Sequence, residues 1–271
     1  MRKNRMRVTW LVVLALLLIL LLWYEARPRL LPEGPRGALG HYLLLIGQEA
    51  ILFGIPALLL RPWRSCGAQR STRWRRGCLL ALPAGAMLAL LLSPVSAGWS
   101  SLMHIAPQET PLPGTALEGA LMVLAMVVVP ALAEEAFFRG GVLCGLARGA
   151  GDKAAFVLTV IIFTLMHGRV VALPAHLACG ALFTLGTLRY GRLWPSIVMH
   201  VSYNAMTLGL AWVGVALPWL SLAATVPAMA AIAAVMLRKT VWREREPLDI
   251  VDAALGAVTM AVLVFYFLAQ L

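Results

Sequence analysis

Six polar side chains interrupt apolar runs where hydrocarbon would otherwise be expected. They are Glu134, Glu135 and Arg139 in one run, His167 at the end of the next, and His200 with Asn204 in a third. A charge at the centre of a bilayer costs roughly 2.5–3.5 kcal/mol on insertion scales, so ionisable groups inside spans are functional suspects by default. Glu135 and Arg139 are four residues apart, share a helix face and can neutralise each other. Glu134 is adjacent to Glu135 on a helix and points about 100° away, so it needs a different partner. Phe163 and His167 are also i and i+4, which lays an aromatic ring over the imidazole face. His200 and Asn204 repeat that spacing and should turn towards an interior cavity rather than lipid.

Together these groups make a hydrolytic set. A glutamate and one of the two histidines can activate a water, while the other histidine and Asn204 donate to a developing oxyanion. Other readings use the same residues. Glu134, His167 and His200 can hold zinc, the imidazoles can serve a proton-coupled transporter, and the glutamates can be interfacial with structural histidines. No His-Glu-x-x-His motif is present to favour zinc. Glu49 and His176 are two further ionisable residues in apolar runs. Glu49 reads as structural, as a partner of an interior histidine or as lining a water path, and His176, after Pro174, reads as interfacial.

The elements that position these residues follow from composition. Of 271 residues, 61% are hydrophobic and 13% charged, with a mean hydropathy of +0.84. A soluble domain is nearer 45–50% apolar and 25% charged. Long unbroken apolar runs exclude a β-barrel, leaving an all-α polytopic transmembrane bundle in which each span satisfies its own backbone. Nine apolar segments are read at 8–24, 39–60, 78–98, 116–138, 154–168, 172–189, 193–213, 217–237 and 250–270. That gives about 8–9 spans, with segments five and six short enough to be tilted or re-entrant.

A net charge of +11 fits membrane topology rather than nucleic-acid binding, because no soluble basic domain is present. The N-terminus, the loops 61–77, 139–153 and 238–247, and the turn 189–192 carry 19 of the 23 Lys and Arg residues. With nine spans these regions fall on one side, which makes the N-terminus cytoplasmic. Trp10, Trp23, Trp63, Trp99, Trp194, Trp219 and Trp242 lie at segment ends, the headgroup level such rings favour. The first segment reads as a retained anchor, since no small-residue cleavage site follows it. The chain divides into N-terminal spans (1–115, with the basic loop 61–77), a core (116–213) and C-terminal spans (214–271).

The ordered motifs Glu134-Glu135-x-x-x-Arg139, Phe163-x-x-x-His167 and His200-x-x-x-Asn204 resemble the CPBP family of intramembrane proteases. That family includes the type II CAAX prenyl endopeptidase and bacterial Abi-type proteins. The resemblance covers roughly residues 116–210. It implies an endopeptidase with its site inside the bundle, Glu134 as general base with His167, His200 and Asn204 stabilising the tetrahedral intermediate, and Arg139 organising its helix through Glu135. It favours a glutamic mechanism without cofactor, with zinc as the alternative. Expected partners are the bilayer and a membrane-anchored or membrane-associated peptide, such as a precursor, a leader or a C-terminal sorting anchor. The expected location is the bacterial cytoplasmic membrane. The competing class is a non-enzymatic membrane protein, either a transporter or an immunity or regulatory factor.

The span boundaries carry one conflict. With segment five starting near Ala154, His167 lies roughly 20 Å from its inner end at 1.5 Å per residue. Glu134, near the inner end of a segment closing at 138, would lie at a different depth.

Overall fold

The computed structural model describes residues 2–30, 37–60, 72–104, 112–214, 240–244 and 250–270, with most positions between 227 and 238. Every regular element among them is helical. In chain order they are α1 (Arg2–Leu30), α2 (Ala38–Leu60) and α3 (Trp74–Leu102), followed by a helical stretch from Ala116 to Met166. Gly151, at φ 84° and ψ 168°, divides that stretch into α4 (116–150) and α5 (152–166). Then come α6 (Leu173–Tyr190), α7 (Trp194–Val213) and α8 (Ile250–Leu268). Among the described residues six helices are long and apolar enough to cross a membrane: α1, α2, α3, the Ala116–Met166 stretch, α6 with the turn before it, and α8. Helix α7 is less apolar because it carries Ser196, His200, Ser202, Tyr203 and Asn204. The eighth apolar segment (217–237) and the basic loop 61–77, with Trp63 and Trp219, fall wholly or mostly outside the described residues.

Helix α4 corrects the reading of segments four and five. The expected loop 139–153 is helical through residue 150. A charged residue followed by two glycines reads as a loop in sequence, yet Arg139 is completely buried and ion-paired. The backbone passes residues 135–143 in wide π-type turns, which are frequent at functional sites. Arg139 is therefore a core residue and belongs to neither membrane face. Glu134 lies four turns or so ahead of the break at Gly151, deep in the bundle. The depth conflict disappears with this extension.

The break itself is locked by charge. The buried Asp152 carboxylate accepts from the Arg243 backbone N–H at 2.9 Å and from Arg243 Nη2 at 2.8 Å. The Asp152 N–H donates back to the Arg243 carbonyl at 3.0 Å. At its other end α4 starts with a capping box, in which Thr115 and Glu118 satisfy each other's backbone N–H groups.

Close helix packing replaces the hydrophobic driving force that lipid cannot supply. A Cβ on Gly85 of α3 would overlap the Met199 carbonyl oxygen of α7, and Ser202 donates to the Leu82 carbonyl across the same seam. Gly145 of α4 packs on Thr9 of α1 in the same manner. Trp10 is not an interfacial anchor as its position suggests. It is 2% exposed and lies against Gly256 of α8. Nearby, Arg7 pairs with the buried Asp252 at 2.7 Å and ties α1 to α8.

Candidate active site

Four helices meet at the α4 glutamates. Glu135 is fully buried, and its Oε1 accepts from Arg139 Nη1 at 2.7 Å, so the pair expected from spacing forms. The same oxygen lies 3.1 Å from His200 Nδ1 of α7. The Arg139 guanidinium also donates to Thr184 Oγ1 and to the Gly180 carbonyl of α6, each at 3.3 Å. It lies 4.3 Å from the centre of the Phe163 ring of α5, within cation–π range. Phe183 of α6 stacks on His200 with centroids 4.8 Å apart. One ion pair thus fixes the relative placement of α4, α5, α6 and α7.

Glu134 takes the other direction, as adjacent helix positions require. Its Oε2 lies 3.4 Å from His167 Nε2. That is longer than a direct N–H···O bond of 2.7–3.2 Å, and Glu134 Oε2 has no hydrogen-bond partner among the described residues. His167 closes α5, and its Nδ1 donates to the Phe163 carbonyl at 2.6 Å. That bond fixes the proton on Nδ1 and turns Nε2 towards Glu134. The Phe163 ring lies 4.5 Å from the imidazole centre, as the i, i+4 spacing requires.

The formal charges nearly cancel. Glu134, Glu135 and Arg139 sum to one negative charge if both carboxylates are ionised. One proton shared with His167 or His200 neutralises the cluster. A buried cluster in which charges balance avoids the cost of an unpaired ion.

Asn204, one turn beyond His200, is half-buried. Tyr203 beside it lies close to the buried Cys179 and to Thr207. A cavity of about 360 Å³ lies between α3 and α7, lined by Tyr203, Thr207 and Leu210 on one side and Ser93 and Ser96 on the other.

Two residues belong to this centre that spacing did not assign to it. His176, read as interfacial, lies with its ring centroid 4.0 Å from that of His167. A turn through Gly168, at φ 59°, folds the start of α6 back onto the end of α5 and brings the two rings together. Glu49 of α2 is near enough to Glu134 for their charges to interact, and its Oε2 has no hydrogen-bond partner among the described residues. The available signal was the presence of an ionisable residue inside each span. Among the described residues no three His, Cys, Asp or Glu side chains converge in a metal-holding arrangement.

Comparison with known proteins bears on this region. Residues 116–206 match the model of the Rce1-like family of type II CAAX prenyl endopeptidases. The match spans α4 to α7 and contains Glu134, Glu135, Arg139, Phe163, His167, His176, His200 and Asn204. It agrees with the resemblance carried by the three motifs, and it associates the core with membrane endopeptidases of the CAAX type. No curated protein and no solved structure matches the chain.

Proposed function

We propose that the chain is an intramembrane endopeptidase of glutamic type that hydrolyses a peptide bond of a membrane-associated substrate. The observation that carries this reading is the facing of Glu134 Oε2 and His167 Nε2, with His167 oriented by its bond to the Phe163 carbonyl. A water beside these two atoms gives up a proton to Glu134 as its oxygen adds to the scissile carbonyl. The carbonyl oxygen becomes an oxyanion, which needs donors held in place beforehand. His200 supplies one when its Nε2 is protonated, because Nδ1 is already directed to Glu135. Asn204 supplies a second from the same face of α7. Glu134 then returns its proton to the leaving amine. Glu135 and Arg139 take no proton in this scheme and hold His200 and the four helices in register.

The catalytic distance of 3.4 Å is compatible with this role, since apo hydrogen bonds in active sites often tighten only with substrate bound. The cavity between α3 and α7 is a suitable entry for a substrate segment, being apolar with a few hydroxyl groups. Substrates in keeping with it are a precursor peptide, a leader or a C-terminal anchor. The bacterial cytoplasmic membrane is the compartment we assign.

The test compares membrane peptides, by mass spectrometry, from cells carrying the wild-type chain and cells carrying Glu134→Gln. Gln keeps the shape and removes the base. Peptides that depend on the chain should vanish with the variant while its membrane abundance stays level. Identical cleavage products from Glu134→Gln would overturn the reading.

A further inference from the structure

The ends of α1, α2 and α4 that lie away from the catalytic glutamates enclose a cavity of about 200 Å³. Its polar lining comes from Arg5 and Thr9 of α1 and Arg148 of α4, and none of the described residues lining it is a carboxylate. Arg5 opens the apolar window of α1, Leu60 ends α2, and Arg148 lies three residues before the break at Gly151. These positions put the cavity at the boundary between hydrocarbon and water. The distribution of basic residues assigns that boundary to the cytoplasmic face.

Two guanidinium groups at that depth match the chemistry of a phosphate group, while the Thr9 hydroxyl already donates to the Arg5 carbonyl. Guanidinium groups bind phosphate through paired N–H donors, and basic pockets between helices on the cytoplasmic side suit anionic headgroups. The volume is below the roughly 300–1,000 Å³ of sites that enclose a whole drug-sized ligand, so a headgroup fits and a peptide does not. Val8 and Leu59 also line the cavity and are 47% and 67% exposed. Their apolar surfaces lead from the arginines to the hydrocarbon. A free anion gains nothing from that arrangement, whereas acyl chains do.

We propose that this cavity binds the phosphate of an anionic phospholipid, with Arg5 and Arg148 as its cationic contacts and the acyl chains lying along Val8 and Leu59. The site is separate from the hydrolytic centre, and its test does not use proteolysis.

Full-length protein is purified from vesicles of phosphatidylglycerol in phosphatidylcholine, and retained lipid is measured by native mass spectrometry. The wild type should retain phosphatidylglycerol in preference to phosphatidylcholine. The double variant Arg5→Gln, Arg148→Gln should hold it about thirtyfold more weakly, at about 1 kcal/mol per cation. Arg5→Lys with Arg148→Lys should keep most of the retention. Inorganic phosphate is the second probe. Displacement of the lipid by millimolar phosphate in the wild type alone would keep the anion site and make free phosphate its source. Equal phosphatidylglycerol retention by the wild type and a folded Gln variant would overturn the proposal. If circular dichroism shows that the Gln variant does not fold, the wild type is titrated with salt. Retention that falls with ionic strength supports the site, and retention indifferent to salt overturns it.

Discussion

The imidazole rings of His167 and His176 lie with their centroids 4.0 Å apart, inclined by 39°. At that distance two positive charges repel by about 4 kcal/mol at an effective dielectric of 20, so the pair accommodates one charge and not two. His176 covers one side of the His167 ring. His176→Phe should keep turnover within about tenfold, because a ring still covers the imidazole. His176→Lys should lower kcat at least about a hundredfold by placing a cation beside the Glu134–His167 pair and weakening Glu134 as the base. Both rates are read on the substrate peptide found by mass spectrometry. Similar rates for the two variants would remove charge from the explanation.

Glu134→Gln should lower kcat by about 10²–10⁴-fold with little change in KM, the usual loss for a general base. Circular dichroism and membrane yield should match the wild type, since Glu134 holds no ion pair with Arg139. A variant that still cleaves at near-normal rate would move the base elsewhere, with Glu49, whose carboxylate interacts with Glu134, the next candidate.

Which parts of this centre were legible in sequence depends on what fixes each contact. Glu135–Arg139 and Phe163–His167 are set by helix periodicity alone, and spacing finds them. The Glu134–His167 contact needs α4 to continue past Arg139, and no local signal marks that. Arg139-Gly140-Gly141 has the composition of a loop, and only the carboxylate and carbonyl acceptors supplied by other turns and by α6 let the arginine stay in the core. His176 was assigned to the interface because Pro174 marks the start of a helix. Its ring reaches His167 only because Gly168 turns the chain back at φ 59°. The general fold, all-helical and apolar, follows from composition. The helix seams follow from individual glycines whose partners lie far off in sequence.

Arg139→Ala should mainly reduce membrane abundance. It leaves the Glu135 carboxylate buried with His200 as its one remaining partner among the described residues, and removing one partner of a buried pair costs about 3–5 kcal/mol. Arg139→Lys should rescue poorly, because one ammonium cannot reach Glu135, Thr184 and the Gly180 carbonyl together. The double variant Glu135→Ala, Arg139→Ala should be less destabilised than the two single changes added, since the second change removes the orphaned charge. Quantitative immunoblotting of membranes, with unfolding in mild detergent, gives all four values. Additive losses would mean that the two residues do not act as a pair.

The seam between α3 and α7 offers a structural test of His200. Gly85→Ala would force a methyl group onto the Met199 carbonyl, one residue before His200. Overpacking of this kind costs about 1–3 kcal/mol, and here the backbone of α7 must shift. Gly98→Ala, on the same helix with open space around its Cβ, is the control. The first change should lower both stability and kcat, and the second should leave both near wild type. Full activity in Gly85→Ala would show that the site tolerates displacement of α7.

The metal question is decided by chelation combined with a pH profile. The Nδ1 atoms of His167 and His200 are both engaged, one by the Phe163 carbonyl and the other by Glu135, leaving both Nε2 atoms for chemistry. Histidines that hold metals have the same outer bonds, so the bonds alone do not choose between the two mechanisms. The mechanism proposed above is water activation by Glu134 and His167, whose Oε2 and Nε2 face each other at 3.4 Å. On that mechanism a strong chelator leaves the rate unchanged. The rate falls as pH is lowered, because Glu134 must be unprotonated to accept the proton from water. The acid limb should follow one ionisation of the linked carboxylate–imidazole pair, and not separate steps for each residue. The zinc mechanism makes the opposite prediction for the chelator: activity is lost and restored by added zinc. Elemental analysis would then find about one zinc per chain, as a single three-ligand catalytic site requires. Stoichiometric zinc leaving in step with activity would replace the glutamic mechanism and retain the endopeptidase assignment.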